Sequence, residues 1–175
     1  MKGFAYRAAG ATLVELIVTI VIMAIALTSL AMTVSFSASH TADSMYQVKV
    51  AELGQAYLEE ILSKRFDENS PVGGIPACYP GGTVCGAIGI EAEARATFDD
   101  VDDYHGLDET PPRDSLGNIR NNYTGYRVEV NVAYVSPAQV TSHGLDDVTD
   151  AKLVTVTVSP PSGTSNIFTA YKGNF

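Results

Sequence analysis

Glu15 stands five positions after Gly10, inside an apolar block that has Ala11, Leu13 and Val14 ahead of it. Downstream, the 27 residues from Leu16 to Ala42 contain no Asp, Glu, Lys or Arg. An ionisable group at the centre of a membrane helix costs about 2–3 kcal/mol and is by default functional. A small residue followed five positions later by glutamate, at the head of an apolar helix, reads as a processing site joined to a functional carboxylate. Cys78 and Cys85 are the second candidate pair, the two cysteines of the chain, and they flank a Pro80-Gly81-Gly82 turn. Outside the cytoplasm such a pair most simply forms a disulfide. A metal is the weaker alternative, because the loop has no His and two thiolates do not complete a tetrahedral site.

Asp99, Asp100, Asp102 and Asp103 offer clustered hard oxygens of the kind calcium takes. Their spacing is not the Asp-x-Asp-x-Asp-Gly of an EF-hand loop. The expectation is a solvated acidic loop without metal, the four aspartates standing only as weak candidates. His40, His105 and His143 are far apart in polar stretches and are expected at the surface. Glu59 and Glu60 are adjacent on a helix and point to different sides, which is wrong for paired acid–base work. The sequence shows no nucleophile with its base, no phosphate loop and no zinc motif, so neither an enzyme nor a cofactor is expected.

The elements that must position Glu15 follow from periodicity. The chain is apolar all round to about Val34, longer than the roughly 20 residues a helix needs to cross a bilayer core. From Ser35 to Phe66 there is no proline and Gly54 is the one glycine. Tyr46, Val50, Leu53, Tyr57 and Ile61 recur at three- and four-residue steps, one face of an amphipathic helix. A single helix from about Leu13 to Phe66 is therefore predicted, with Lys64 and Arg65 at its negative end and Asn69-Ser70-Pro71 stopping it. Residues 69–90 read as a loop pinned by the cysteines. Glu91–Phe98 alternates but is Ala-rich, a strand or a short helix, and 99–122 is turn-rich. Tyr126–Tyr134 and Lys152–Val158 alternate with period two and are strands, and Ile167–Tyr171 is a last short one. One long helix and three or four antiparallel strands make an α+β domain, with the amphipathic half-helix laid on the sheet. Thr12, Thr19, Thr28 and Ser29 are expected to pack between helices or bond back to the backbone.

Charge sets the orientation. Lys2 and Arg7 precede the apolar run with no acid beside them, which holds that end in the cytoplasm and sends the rest outward. Beyond Thr41 there are 19 Asp and Glu against 9 Lys and Arg. An acidic exported part argues against nucleic-acid binding, which needs a basic surface. An ordinary secretory signal, cut at Ala24-Ile25-Ala26 or Ser37-Ala38-Ser39, would give no reason for Glu15.

Gly10, Thr12, Leu13, Val14, Glu15 and the long apolar helix resemble the class III signal of type IV pilins and pseudopilins. The resemblance implies a type IV pilin-like fold: a long N-terminal helix, half transmembrane and half amphipathic, packed on a small antiparallel sheet. It also implies that a prepilin peptidase cuts between Gly10 and Ala11 and methylates the Ala11 amine. Lys2 and Arg7 would leave with the leader. The family usually has Phe or Met where this chain has Ala11. The domains implied are a leader over 1–10, a transmembrane and assembly helix over 11–35, its amphipathic continuation over 36–68 and an extracytoplasmic α+β domain over 69–175. Glu15 would be the assembly carboxylate, pairing with the terminal amine of a neighbouring subunit and setting its register. Many major pilins carry Gly and Pro in the first helix, where this chain has Ala24 and Met32, and often close a loop near the C-terminus with a disulfide. Both departures suit a minor subunit, and the first predicts an unbroken helix.

Ala56–Lys64 with Phe66-Asp67-Glu68, Phe98–Tyr104 and Tyr123–Val128 are similar to the MshD family, minor pilin-like proteins of the mannose-sensitive haemagglutinin (MSHA) pilus system. That similarity implies inner-membrane anchoring before assembly, then a place in a surface fibre used for attachment. Its implied partners are other major and minor pilins, the prepilin peptidase and the inner-membrane assembly platform. The rivals are a pseudopilin of a type II secretion system and a periplasmic binding domain tethered by an uncleaved helix.

Overall fold

The computed structural model describes residue 10 and residues 12–71, 74–78, 84–89, 93–161 and 163–174, with the backbone alone over 38–43. The chain divides into two units, Met1–Met45 and Tyr46–Phe175. The 50-residue helix α1, Leu13–Leu62, contributes to both. It runs unbroken through Ala24 and Met32, as their lack of Gly and Pro predicts.

In the first unit, Thr12 caps α1. Its hydroxyl accepts from the Glu15 N–H at 3.3 Å, and its carbonyl accepts from the Leu16 N–H at 3.1 Å. Those are the bonds an N-cap residue makes to donors with no intrahelical partner. Thr19, Thr28, Ser29 and Thr33 donate back to carbonyls three or four residues earlier at 2.9–3.0 Å. Their hydroxyls thus reach no further than their own helix, the arrangement an apolar medium favours. Leu13–Ser37 is 25 residues, long and apolar enough to cross a membrane, and its large side chains are exposed from Leu13 to Phe36.

The second unit is built on a four-stranded antiparallel sheet in the order β1-β2-β3-β4: Asp108–Glu109, Arg127–Tyr134, Ala151–Ser159 and Asn166–Gly173. Valines pair across β2 and β3 (Val128 with Val158, Val130 with Val156, Val132 with Val154) and all six are buried. β-branched side chains suit that half-buried pleated surface. Val50, Leu53, Tyr57 and Ile61 of α1 join the same core, so the helical stripe read from the sequence is the face laid on the sheet. Gly54 permits the close approach. A Cβ there would come within 2.3–2.8 Å of the Phe168 ring of β4.

Two expectations need correction, and one element is additional. α1 stops at Leu62, short of Phe66 and well before Asn69. The backbone of Arg65 instead pairs with the segment beside it: its N–H donates to the Asp99 carbonyl at 3.2 Å and its carbonyl accepts from Val101 at 3.1 Å. Those bonds compete with another helical turn. Residues 93–98 are neither strand nor helix but a turn, closed by Thr97 N–H to Ala94 carbonyl at 2.7 Å and by the Thr97 hydroxyl; Glu91 and Ala92 lie outside the described residues. Between β2 and β3 a short helix α2, Pro137–His143, was not foreseen. Its signals are complete: Ser136 and Gln139 form a capping box, Pro137 opens the first turn and Gly144 closes it with a left-handed φ of 68°.

Candidate functional site

Gly10 is exposed, and a Cβ built on it meets no atom within 4 Å. Ala11, Lys2 and Arg7, which bear on the cut and the orientation, lie outside the described residues. Glu15 occupies the third position of α1 with Thr12 as its cap, so Thr12-Leu13-Val14-Glu15 has the form of a capping box. The positive end of the helix dipole favours a carboxylate in this turn. Among the described residues no basic group pairs with it. An exposed Gly10 thus precedes, by five positions, a carboxylate in the first turn of α1, whose Leu13–Ser37 segment is otherwise without charge.

A second set of charges is buried in the other unit. Cys78 and Cys85 are joined as a disulfide. The residue that follows the bridge is tied to Asp67, whose two carboxylate oxygens accept from the Gly86 N–H at 2.8 and 2.9 Å. Asn174 donates to the Cys78 carbonyl at 2.7 Å and the Thr149 carbonyl at 2.9 Å. With both sulfurs bonded to each other, the metal alternative for this pair falls.

The acidic run is not a solvated loop. Asp100, Asp102 and Asp103 are buried, and Asp99 alone is at the surface, paired with Arg65 at 2.5 Å. Asp100 Oδ1 accepts from the Asp102 and Asp103 N–H groups at 2.7 and 3.2 Å, and Asp103 Oδ2 accepts from those of Asp99 and Asp100 at 3.0 and 3.2 Å. Asp102 turns to Lys152, whose Nζ is 2.5 Å away. Burial and the Asp103 charge push the Asp100 carboxyl up to about 6. Burial, working against Lys152, pushes Asp102 up to about 7. Asp99 and Asp103 come together with Glu93, their ligand atoms within 4.8 Å, while Asp100 and Asp102 face elsewhere. The four aspartates do not form one site.

In the sequence Lys152 opens the alternating strand Lys152–Val158. Alternation places it on the same side as Val154, Val156 and Val158, the core side, and a lysine there signals a buried partner. Arg95 is similar. It lies in the Ala-rich stretch, yet it reaches Glu60 at 2.6 Å and Glu109 at 3.2 Å. Tyr104 donates to Glu60 at 2.8 Å, and Tyr57 donates to Glu109. Burial and these carboxylates push both phenols above their ordinary value. Glu59 stays exposed and accepts from Gln55 at 3.1 Å, so the two glutamates do point apart. His143 is exposed. His105 is half-buried, a departure from the surface expectation, and its Nδ1 accepts from the Val132 N–H at 3.2 Å. The side chain of His40 lies outside the described residues.

Residues 6–31 match the family described as the prokaryotic N-terminal methylation motif. The match spans Gly10, Glu15 and most of the apolar segment, and it supports a type IV pilin-like protein. No curated protein and no solved structure matches the chain.

Proposed function

We propose that the chain is a minor pilin of an MSHA-like type IV pilus, held in the inner membrane of a Gram-negative bacterium until it enters the fibre. What carries the reading is Glu15: a carboxylate five positions after Gly10, in the first turn of an apolar helix, within the residues that match the methylation motif. A prepilin peptidase would cut after Gly10 and methylate Ala11, discarding Lys2 and Arg7. The Ala11 ammonium of one subunit and Glu15 of the next are each costly in lipid and stabilise one another there. That pairing would set the axial register as α1 packs with other major and minor pilins at the assembly platform. The role is structural rather than enzymatic. The acidic α+β domain faces outward or caps a tip, and it helps start or modulate fibres used for attachment.

The N-terminal motif fits a type II secretion pseudopilin equally well, whereas the segments 56–68, 98–104 and 123–128 favour the pilus. Mass spectrometry of the protein from cells that possess the peptidase tests the central claim. A methylated chain beginning at Ala11 is expected, and a mature protein that retains Lys2 would overturn the reading in favour of a simple anchor.

A further inference from the structure

Assembly through α1 makes no use of the buried charges beneath the sheet. Lys152 is fully buried on the core side of β3, as is Asp67 beyond the end of α1, and Asp102 is 3% exposed. The Lys152 Nζ lies 2.5 Å from Asp102 Oδ2, 3.3 Å from Asp67 Oδ2 and 2.7 Å from the Phe66 carbonyl oxygen. The rings of Phe66 and Tyr134 flank it, their centroids 4.2 and 5.2 Å from Nζ. Asp102 Oδ1 is buried with no hydrogen-bond partner among the described residues. Asp100 and Asp103 are buried nearby, so this cluster holds more acid than Lys152 alone can neutralise.

We propose that Lys152 and Asp102 condense into an intramolecular amide bond, with Asp67 as the proton carrier. An ammonium and a carboxylate in hydrogen-bond contact exchange a proton to give an amine and a carboxylic acid. A dry site favours that neutral pair far more than water does, because burial penalises both charges. The upward push on the Asp102 carboxyl acts in the same direction. The Nζ lone pair then attacks Asp102 Cγ and forms the C–N bond. Asp67 Oδ2 takes a proton from Nζ and delivers it to the hydroxyl oxygen on Cγ, and the C–O bond breaks as that oxygen leaves as water. The other carboxyl oxygen remains as the amide carbonyl. In sum, one ammonium and one carboxylate become one amide and one water. Asp67 ends as it began, and no oxidant, metal or cofactor takes part. Holding the two groups in contact supplies the effective concentration the condensation needs. The product retains one N–H for the Phe66 carbonyl and removes two buried charges.

The test is the intact mass of the full-length protein after reduction of the disulfide, with a peptide map. A mass one water below that of the processed sequence is expected, together with a branched peptide joining the segment of Asp102 to that of Lys152. An undiminished mass, or a water loss with the Lys152 peptide recovered unbranched, overturns the proposal. Asp102→Ala should restore the full mass. Asp67→Asn keeps the shape of the carrier without its basicity, and its fold is checked by circular dichroism. A folded Asp67→Asn protein that is unlinked, or linked at least tenfold more slowly, is expected; linkage at the wild-type rate would remove Asp67 from the step. None of these readouts depends on pilus assembly, so the function proposed above stands or falls separately.

Discussion

At Glu15 the covalent neighbours explain the local structure but not the charge. Thr12 caps the helix through the Glu15 N–H, and the dipole welcomes a carboxylate in the first turn. A cap of this kind is worth about 1 kcal/mol, less than the cost of a carboxylate surrounded by lipid. On the proposed reading, the terminal amine of a neighbouring subunit makes up the difference. Glu15→Ala is accordingly expected to leave the protein inserted in the membrane. Its recovery in sheared fibres should fall by on the order of tenfold, the effect of losing ~1.4 kcal/mol. Equal recovery of mutant and wild type in an immunoblot of sheared material would refute the pairing. Asp100 gives a prediction of a different kind. Its carboxyl is raised from the ordinary 3.8 to about 6, so the folded state binds a proton more tightly than the unfolded state. The stability Asp100 contributes is therefore fully present below about pH 4 and lost as pH rises through about 6. Asp100→Asn keeps the Oδ1 acceptor and removes the charge. It should flatten this dependence and raise stability at pH 8 by about 1–3 kcal/mol, read from urea unfolding at several pH values. The burial of Asp100 is not legible in the sequence, because a run of aspartates looks the same whether it faces water or its own backbone; the place of Lys152 on the core side of β3 does signal a buried partner, but not which acid it is. Glu15 was legible because a membrane span leaves a charge no such ambiguity.

The elements divide by how local their causes are. The stripe from Tyr46 to Ile61 and the alternations of β2 and β3 are periodic signals, and each became the element its period implies. The early end of α1 at Leu62 was hidden. It depends on the backbone of Arg65 finding Asp99 and Val101, more than thirty residues away. The two-residue β1 was equally hidden, since pairing with β2 rather than any pattern of its own defines it. Helix α2, by contrast, carries every one of its boundary signals in the sequence. The packing of α1 on β4 yields a test. In an exposed helix Gly54→Ala would gain about 1 kcal/mol of propensity. Here the added methyl meets the Phe168 ring at under 3 Å. Overpacking of that kind costs about 1–3 kcal/mol, so the net effect is expected to be destabilising, measured as a lower urea midpoint at unchanged slope. A variant more stable than wild type would show that the ring yields freely.

For the molecule as a whole, the core cluster lies entirely within Tyr46–Phe175, and the disulfide belongs to the same unit. A chain cut to 46–175 is expected to be soluble and to unfold cooperatively, with Tm within about 5 °C of the same unit in the full protein. Calorimetry checks this, and a fragment without a cooperative transition would make the membrane segment part of the fold. The acidic balance beyond Thr41 favours that solubility. At this scale the division between an apolar segment and a polar domain is readable from composition and the α+β class from periodicity, while the charged interior is not. The Gly54–Phe168 contact carries a lesson about descent as well. Two positions that share so little space cannot drift independently, so a relative with a bulkier residue at the first should carry a smaller one at the second, and the exchange should recur across lineages as a matched pair.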